Sequence, residues 1–497
     1  MGYIFEELLR KFSEMSNETA GEHYTPREVI RLMVNLLVSG DTYTKLVNNP
    51  APVRTVYDPA AGTGGMLMTA MQHITELNPN AKVQVNGQEL NDETWAIAQS
   101  DLMMQNIDPS RMANGNSLTG DAFPLNKFDF ILANPPYGVD WKAYAKPIQD
   151  EAAKQGFSGR FGVGLPRISD GSFLFLQHMI SHMKPAIGGR DGSRIGIVLS
   201  GSPLFSGQAG SGESEIRRWV LENDWLEGIV ALPDQMFYNT GISTYVWILT
   251  NNKDDAHRGR VILVDAREFG TKMRKSLGDK RKELTDGAIA EISRLYGEAL
   301  TDDVDSTRVK VLANEAFGFQ RITVERPMRR RWIVTKDAVA TEPFDRFASL
   351  VGRSFETEKA LLAEIDGLTA PQKRAFAKAC AVVDSNAPIV TGKSGKREPD
   401  PGLRDYENVP LPEGWLARDG NERAQRLVES AEAHLEVQIR PYVPDAWIDH
   451  AKTKVGFEIP FTRQFHVHEP PRPADEIAAE IRELESQIQA WMVGLGL

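Results

Sequence analysis

Residues 53–77 read VRTVYDPAAGTGGMLMTAMQHITEL, and the pattern changes in the middle of the run. Up to Asp58 and Pro59 it is a strand pattern, rich in β-branched and aromatic residues. From Gly64 and Gly65 onward it reads as a helix, whose Met66, Met68 and Met71 suit core packing better than any cofactor role. Between the two, Gly62, Thr63, Gly64 and Gly65 make a tight turn. Glycines let the backbone approach a ligand closely, and a helix N-terminus presents free N–H groups. The spacing is not the G-x-G-x-x-G of a dinucleotide site. Asp58, just before the loop, would repel a pyrophosphate and attract a ligand with an amine or positive charge. The bland alternative is a tight strand–helix turn that binds nothing.

Working outward, the alternation repeats. KVQVNGQEL (82–90) is a strand and NDETWAIAQSDLMMQN (91–106) a helix, whose Met103 and Met104 again suit packing. A short strand follows over 112–118, and FDFILANP (128–135) is a further strand. GSFLFLQHMISHMK (171–184) is a helix, RIGIVLSG (194–201) a strand and GESEIRRWVLEN (212–223) a helix. LEGIVALP (226–233) and STYVWILTN (243–251) are strands joined by a loop too short for a helical crossover, so the last strand runs antiparallel. Repeated strand–helix units predict an α/β, doubly wound, mostly parallel sheet of seven strands, with helical N- and C-terminal extensions. Such sheets bind ligands beyond the carboxyl ends of their strands. Upstream, residues 1–17 read as a helix. A second helix is started by Thr25 as N-cap and Pro26 at the first helical position, and stopped by Gly40.

The insert from Gly138 to Ile168 is Gly-rich and polar, a long irregular loop and a candidate lid. Beyond residue 266 the pattern changes: 271–300 and 353–382 look helical and strongly charged, and 385–402 reads as a flexible linker. Near the end, Ile477, Ile481, Leu484, Ile488 and Met492 stand near heptad spacing, which suits docking on a partner helix or on the protein's own body.

Composition narrows the class. The chain has 497 residues, 41% hydrophobic and 25% charged, which is normal for a soluble globular protein. Its single cysteine, Cys380, allows neither a disulfide framework nor a cysteine zinc site within the chain, which suits a reducing cytoplasm. The charged N-terminus is no signal peptide, no window approaches the ~18 apolar residues of a membrane span, and a cytoplasmic protein without membrane contact is expected. A formal net charge of −11 argues against a stand-alone nucleic-acid binder. It leaves room for a local basic surface or a basic partner. Arg326, Arg329, Arg330 and Arg331 form the densest basic cluster and read equally as a solvated surface run.

Three further places carry chemistry. Glu89 closes the second strand, where a carboxylate can accept both hydroxyls of a ribose. Asn116, after the third strand, can bond an adenine edge or simply shape a turn. Most telling is FDFILANPPYG (128–138), a core strand that ends in Asn134, Pro135, Pro136 and Tyr137. The exocyclic amine of adenine or glutamine is a poor nucleophile because its lone pair is delocalised. The Asn134 side-chain oxygen and the Pro135 carbonyl could accept its two N–H bonds and pull it toward tetrahedral. The prolines stiffen the turn, and the Tyr137 ring offers a platform for a planar base. That is catalysis by positioning and electrostatics rather than by a His or Lys base. His178 and His182, four apart on one helix face, could bind metal; without a third ligand a structural role is expected, and no metal is assigned.

At this point the chain resembles a known family. DPAAGTGG followed by NPPYG is similar to amino-group methyltransferases that use S-adenosylmethionine, in the gamma-class order of DNA adenine-N6 enzymes. More closely, GYIFEELLRKFSE, GQELNDETWAIAQSDLMMQN, DGSFLFLQHMI, IGIVLSGSPLFSG, NTGISTYVWILTNNK, RKSLGDKRKEL, VPDAWID and KTKVGFEIPFTRQFH resemble the modification (M) subunit of type I restriction–modification systems, over nearly all of the chain. The resemblance implies methyl transfer to a flipped-out adenine of double-stranded DNA. It implies a specificity (S) subunit that reads the sequence, two M per S, and a restriction (R) subunit. It also places Glu22, His23, Tyr24, Thr25, Pro26 and Arg27 on the methionine side of the cofactor. Asp58, Ala60, Gly62, Thr63, Gly64, Gly65, Glu89 and Asn116 would hold the rest of the cofactor, and Asn134 to Tyr137 would form the amine site. The expected organisation is then 1–45 as helices left from a larger helical domain, 46–265 as the methyltransferase body, 266–384 as a helical or mixed extension, 385–402 as linker, and 403–497 ending in a partner-binding helix. Two departures stand out. Members of the family usually carry a helical domain before GYIFEELLRKF, a stretch that here stands at the start of the given sequence, and Asn116 stands where many related enzymes have an acid. Outside this class, a protein glutamine methyltransferase shares the Asn-Pro-Pro-Tyr chemistry but lacks so long a C-terminal half, and a non-catalytic scaffold has no need of Asp58, Glu89 and Asn134 together.

Overall fold

The computed structural model describes residues 25–187, 190–238, 240–301, 307–392, 395–466 and 473–494. The residue 1–17 helix therefore lies outside the described residues, as do Glu22, His23 and Tyr24. Two compact units are present, Met1–Ile459 and Pro460–Leu497.

The first unit is built on one large sheet. Its strands are β1 (Val53–Asp58), β2 (Lys82–Glu89), β3 (Met112–Asn114), β4 (Phe130–Ala133), β7 (Arg194–Ser200), β8 (Leu226–Ala231), β9 (Thr244–Thr250), β10 (Arg260–Asp265) and β13 (Val309–Ala313). Two short hairpins lie apart from it: β5 (Ala186–Ile187) with β6 (Arg190–Asp191), and β11 (Thr271–Leu277) with β12 (Lys280–Glu283). Across the sheet the order is β3-β2-β1-β4-β7-β9-β8-β10-β13. Strands β1 to β4 and β7 are parallel, and β9 is antiparallel to both neighbours, as its short preceding loop requires. The sheet has nine strands rather than the expected seven, because β10 and β13 extend the edge beyond β8. β9 lies in the interior between β7 and β8 with its seven residues all buried, and a second antiparallel strand, β13, forms the edge beside β10.

The core follows from the sequence periods. Helix Arg27–Leu37 buries Val29, Ile30, Leu32, Met33, Val34, Leu36 and Leu37 against helices Gly65–Leu77 and Asp286–Ala299. Its N-cap is Pro26, whose carbonyl accepts from Val29 and Ile30, so the helix starts one residue later than expected and Thr25 does not cap it. The 138–168 insert is not irregular. It holds helix Ala145–Gln155 and a small core of Leu118, Trp141, Ile148, Phe161 and Leu174. Pro147 sits in the first turn of that helix, where its missing N–H costs nothing.

Further along, residues 271–283 form the β11–β12 hairpin, not the start of a helix; the helix begins at Asp286. The segment expected to be a flexible linker is tied down: Val390 N–H donates to the Met328 carbonyl (2.9 Å), Met328 N–H to the Glu398 carbonyl (2.8 Å) and Glu398 N–H to the Val390 carbonyl (3.0 Å). A smaller sheet centred on Gly318–Glu325 packs under helix Gly420–His434. Cys380 is buried in another small core, and burial pushes its thiol up to about 11. In the second unit the helix Ala474–Gly494 forms, with Ile477, Ile481, Leu484, Ile488 and Met492 exposed.

Candidate active site at the carboxyl ends of three adjacent strands

Neighbouring strands β2, β1 and β4 end level with one another, which brings Glu89, Asp58 and Asn134 to one edge of the sheet. The strand order reverses there, running from β1 to β2 and β3 on one side and from β4 to β7 on the other, and such a switch point is where an open α/β sheet leaves a crevice. The glycine loop fills one wall. Gly62 and Gly64 have φ of +54° and +79°, which side-chain-bearing residues rarely adopt. The loop is fixed by Ala61 N–H to the Gln88 carbonyl (3.0 Å) and Gly64 N–H to the Ala61 carbonyl (2.8 Å). A Cβ built on Gly65 would meet nothing within 4 Å, so the helix N-terminus opens onto free space.

The two carboxylates differ. Asp58 is 1% exposed, and its Oδ1 accepts from Ala60 N–H at 2.9 Å. Burial, reinforced by the nearby Glu89 charge and only partly offset by that bond, pushes its carboxyl up to about 8. Glu89 accepts from Gly62 N–H and Asn91 N–H, both at 2.8 Å, so it shapes the loop as well as facing the crevice. Thr63 lies within this same turn. A buried acid with an unfavourable charge is the partner a cationic ligand needs, and an open helix N-terminus beside it gives the ligand room. The residues present fit S-adenosylmethionine on those grounds.

Asn134 leaves β4 with its side chain held at both ends. Its Nδ2 donates to Thr25 Oγ1 at 2.9 Å, and its Oδ1 accepts from the Tyr137 hydroxyl. In this arrangement the amide nitrogen faces Thr25 and the oxygen points to the Tyr137 side. An amide oxygen has two lone pairs, so one remains for a further donor. The Pro135 carbonyl has no donor among the described residues. Tyr137 is nearly buried and packs edge-on against Phe237, with ring centroids 6.2 Å apart at 86°. Burial holds its hydroxyl far above the ordinary tyrosine range, so it stays a donor.

Asn116 shapes its own turn: its Oδ1 accepts from Leu118 N–H at 2.9 Å. That leaves Nδ2 as the group able to reach a ligand. Pro26 is buried and Arg27 exposed at the start of the helix below.

A profile of the family described as N-6 DNA Methylase matches residues 1–317. The chain belongs to that family. The type I restriction enzyme HindI methylase subunit of Haemophilus influenzae is 31% identical over 272 residues, 54% of this chain and 55% of that protein. The MjaIX methylase subunit of Methanocaldococcus jannaschii is 26% identical over 294 residues, 59% of this chain and 47% of its own length. A type I restriction-modification system methyltransferase subunit from Streptococcus thermophilus, a solved structure, aligns with a TM-score of 0.50 at 27% identity, over 63% of this chain and 60% of that one. The chain spans about half the length of the curated relatives it matches.

Within this N-6 DNA methylase fold, a buried network under the cofactor loop escaped sequence reasoning. Arg160 donates to the Ser117 and Leu118 carbonyls (2.7 and 2.9 Å), to Glu151, and to His178 Nδ1 (3.0 Å). A guanidinium cannot accept, so Nδ1 accepts and the His178 proton sits on Nε2, facing the Tyr57 hydroxyl at 3.0 Å. Burial first, then His182 and Arg160, hold His178 well below the usual imidazole range, so the ring is neutral. Ser117, whose carbonyl Arg160 holds, donates its hydroxyl to the Pro59 carbonyl at 2.5 Å. The insert is thereby wired to the loop that carries Asp58. The only sequence signal was an arginine flanked by glycines in GRFG.

The structure also supplies the third acid that His178 and His182 lacked in sequence. Asp121 lies with them, all ligand atoms within 4.8 Å of one another. His182 Nδ1 faces the Asn126 carbonyl (2.8 Å) and Nε2 faces Asp121 (3.1 Å). Burial opposes ionisation of Asp121, but its bond to and charge attraction for His182 outweigh burial and hold the carboxyl at about 2. Every ring nitrogen thus has a protein partner, which marks a hydrogen-bonded core.

Proposed function

We propose that this chain transfers a methyl group from S-adenosylmethionine to N6 of an adenine flipped out of double-stranded DNA, as the modification subunit of a type I restriction–modification complex. The observation that carries this reading is the fixed Asn134 amide, whose oxygen is aimed away from Thr25 beside the Pro135 carbonyl, which has no donor among the described residues. Family membership and the type I relatives support the same assignment. Asp58 and Glu89 take the charged and hydroxylated parts of the cofactor, with Gly62 to Gly65 lining it, Asn116 at the base, and Glu22 to Arg27 at the methionine end. The bound cofactor supplies an electrophilic methyl group on a sulfonium.

The chain's own contribution is positioning. Asn134 Oδ1 and the Pro135 carbonyl accept the two N–H bonds of the target amine, which localises its lone pair on nitrogen. Pro135 and Pro136 keep those oxygens in place, and Tyr137 holds the amide from the other side while flanking the base. None of the His178, His182 or Lys280 side chains is free to act as base, since each is engaged in the contacts of the core. Sequence reading belongs to an S subunit, to which two M chains bind, and cleavage to an R subunit; the exposed apolar stripe of Ala474–Gly494 suits the S contact.

Nucleoside mass spectrometry tests this on DNA from cells expressing the chain with its cognate S subunit. Wild type should yield N6-methyladenine, and Asn134→Ala should lower it at least ~100-fold while keeping cofactor affinity. Methyladenine at wild-type level from Asn134→Ala would sink the amine-site assignment.

A further inference from the structure

The β11–β12 hairpin is the one strongly basic ribbon of the described sheets, with Lys272, Arg274, Lys275, Lys280, Arg281 and Lys282 in two short strands. Its turn is a two-residue loop with Gly278 at φ +61°, the chemistry of a tight hairpin. Two of the six cations are structural. Lys280 is buried, paired with Glu28 and donating to the carbonyls of Met236 and Lys282 (3.3 and 3.0 Å). Lys282 pairs with Asp234. The other four, Lys272, Arg274, Lys275 and Arg281, are exposed and have no carboxylate partner among the described residues, although Asp279 and Glu283 lie in the same ribbon. The Arg329–Arg331 cluster behaves differently: Arg329 is taken by Asp445 and Arg331 by Asp384.

The anchors fix where those four charges stand. Asp279 N–H donates to the Tyr238 carbonyl (2.8 Å) and Arg281 N–H to the Gln235 carbonyl (3.0 Å), so the ribbon is stitched to segment 234–238. Phe237 of that segment is the ring against Tyr137. Glu28, which holds Lys280, lies one turn from Thr25, which holds Asn134. Both ties lead to the amine site.

We propose that the hairpin Thr271–Glu283 is a phosphate-contacting ribbon for the DNA strand that delivers the target base, with Lys272, Arg274, Lys275 and Arg281 as its contact residues. This rests on the proposed function above. A chain of net charge −11 repels a polyanion overall. Unpaired cations concentrated beside the site give the flanking phosphates a local landing point. They carry no base-edge readout, which suits an enzyme whose sequence choice is made by another subunit.

The test is equilibrium binding of a duplex to the full chain assembled with its S subunit, from 50 to 200 mM salt. Neutralising four phosphate contacts with Lys272→Gln, Arg274→Gln, Lys275→Gln and Arg281→Gln should lower the slope of log K against log salt by about 3–4, and Arg274→Gln alone by about 1. Cofactor affinity should stay within about twofold. An unchanged slope in a complex whose wild type binds and methylates DNA overturns the ribbon and leaves the methyltransferase reading standing. A loss of S-subunit assembly with no change in slope makes the ribbon a protein-docking surface, and overturns it too. A wild-type complex that neither binds nor methylates DNA sinks both.

Discussion

Asn134, the residue proposed to hold the target amine, shows how little of a side chain's geometry is local. Its identity and place at the end of β4 are sequence facts, yet its amide is oriented by Thr25, 109 residues away. Removing that acceptor in Thr25→Ala lets the amide rotate, so kcat should fall about tenfold with little change in cofactor affinity, and Thr25→Ser should restore it. An unaltered kcat in Thr25→Ala would show that the contact does not orient Asn134. Asp58 offers a pH signature. Burial pushes its carboxyl up to about 8, well above the ordinary aspartate range near 4, so its contribution to stability is complete below about pH 4 and is lost as pH rises through about 8. The melting temperature of Asp58→Asn minus that of wild type should therefore be larger at pH 9 than at pH 5, by about 3 °C or more. Cofactor affinity of wild type should rise with pH up to about 8, while the variant stays weak and flat. A pH-independent melting difference would mean Asp58 is not held protonated.

At the scale of elements, the sequence was read well where one period dominated and poorly where charge masked it. The strand–loop–helix of 53–77 was legible because alternation gives way to helical spacing across a glycine turn. The 271–283 hairpin was not, because its cations come in runs, Arg274–Lys275 and Lys280–Lys282, on a mostly exposed ribbon with no apolar face to set a period of two. The 138–168 insert was taken for an irregular lid because only Ile148 of its helix is buried. Arg160 gives that insert its work. Its guanidinium is 14% exposed and satisfies carbonyls of the 117–118 turn while pairing with Glu151. Arg160→Ala leaves a partly buried Glu151 and two carbonyls without their donor, which should cost about 3 kcal/mol in urea unfolding. It should also raise the cofactor KM more than it lowers kcat. A stable variant with unchanged KM would separate the insert from the cofactor loop.

For the whole molecule, the sequence by itself determined the α/β class, the antiparallel β9 and the residues at the crevice, because each follows from local patterning and the length of a connection. The nine-strand width, the Asp121 partner of the two histidines, the Arg160 network, the anchoring of 385–402 and the hold of Thr25 on Asn134 were decided only by tertiary structure. The physical reason is the same in each case. Strand pairing and hydrogen bonds between side chains join residues far apart in the chain, and nothing in the local period of either partner records where the other will be. The chemistry proposed for the site rests on DPAAGTGG and NPPY, while the alignment of those stretches came from the folding that set β1, β2 and β4 side by side.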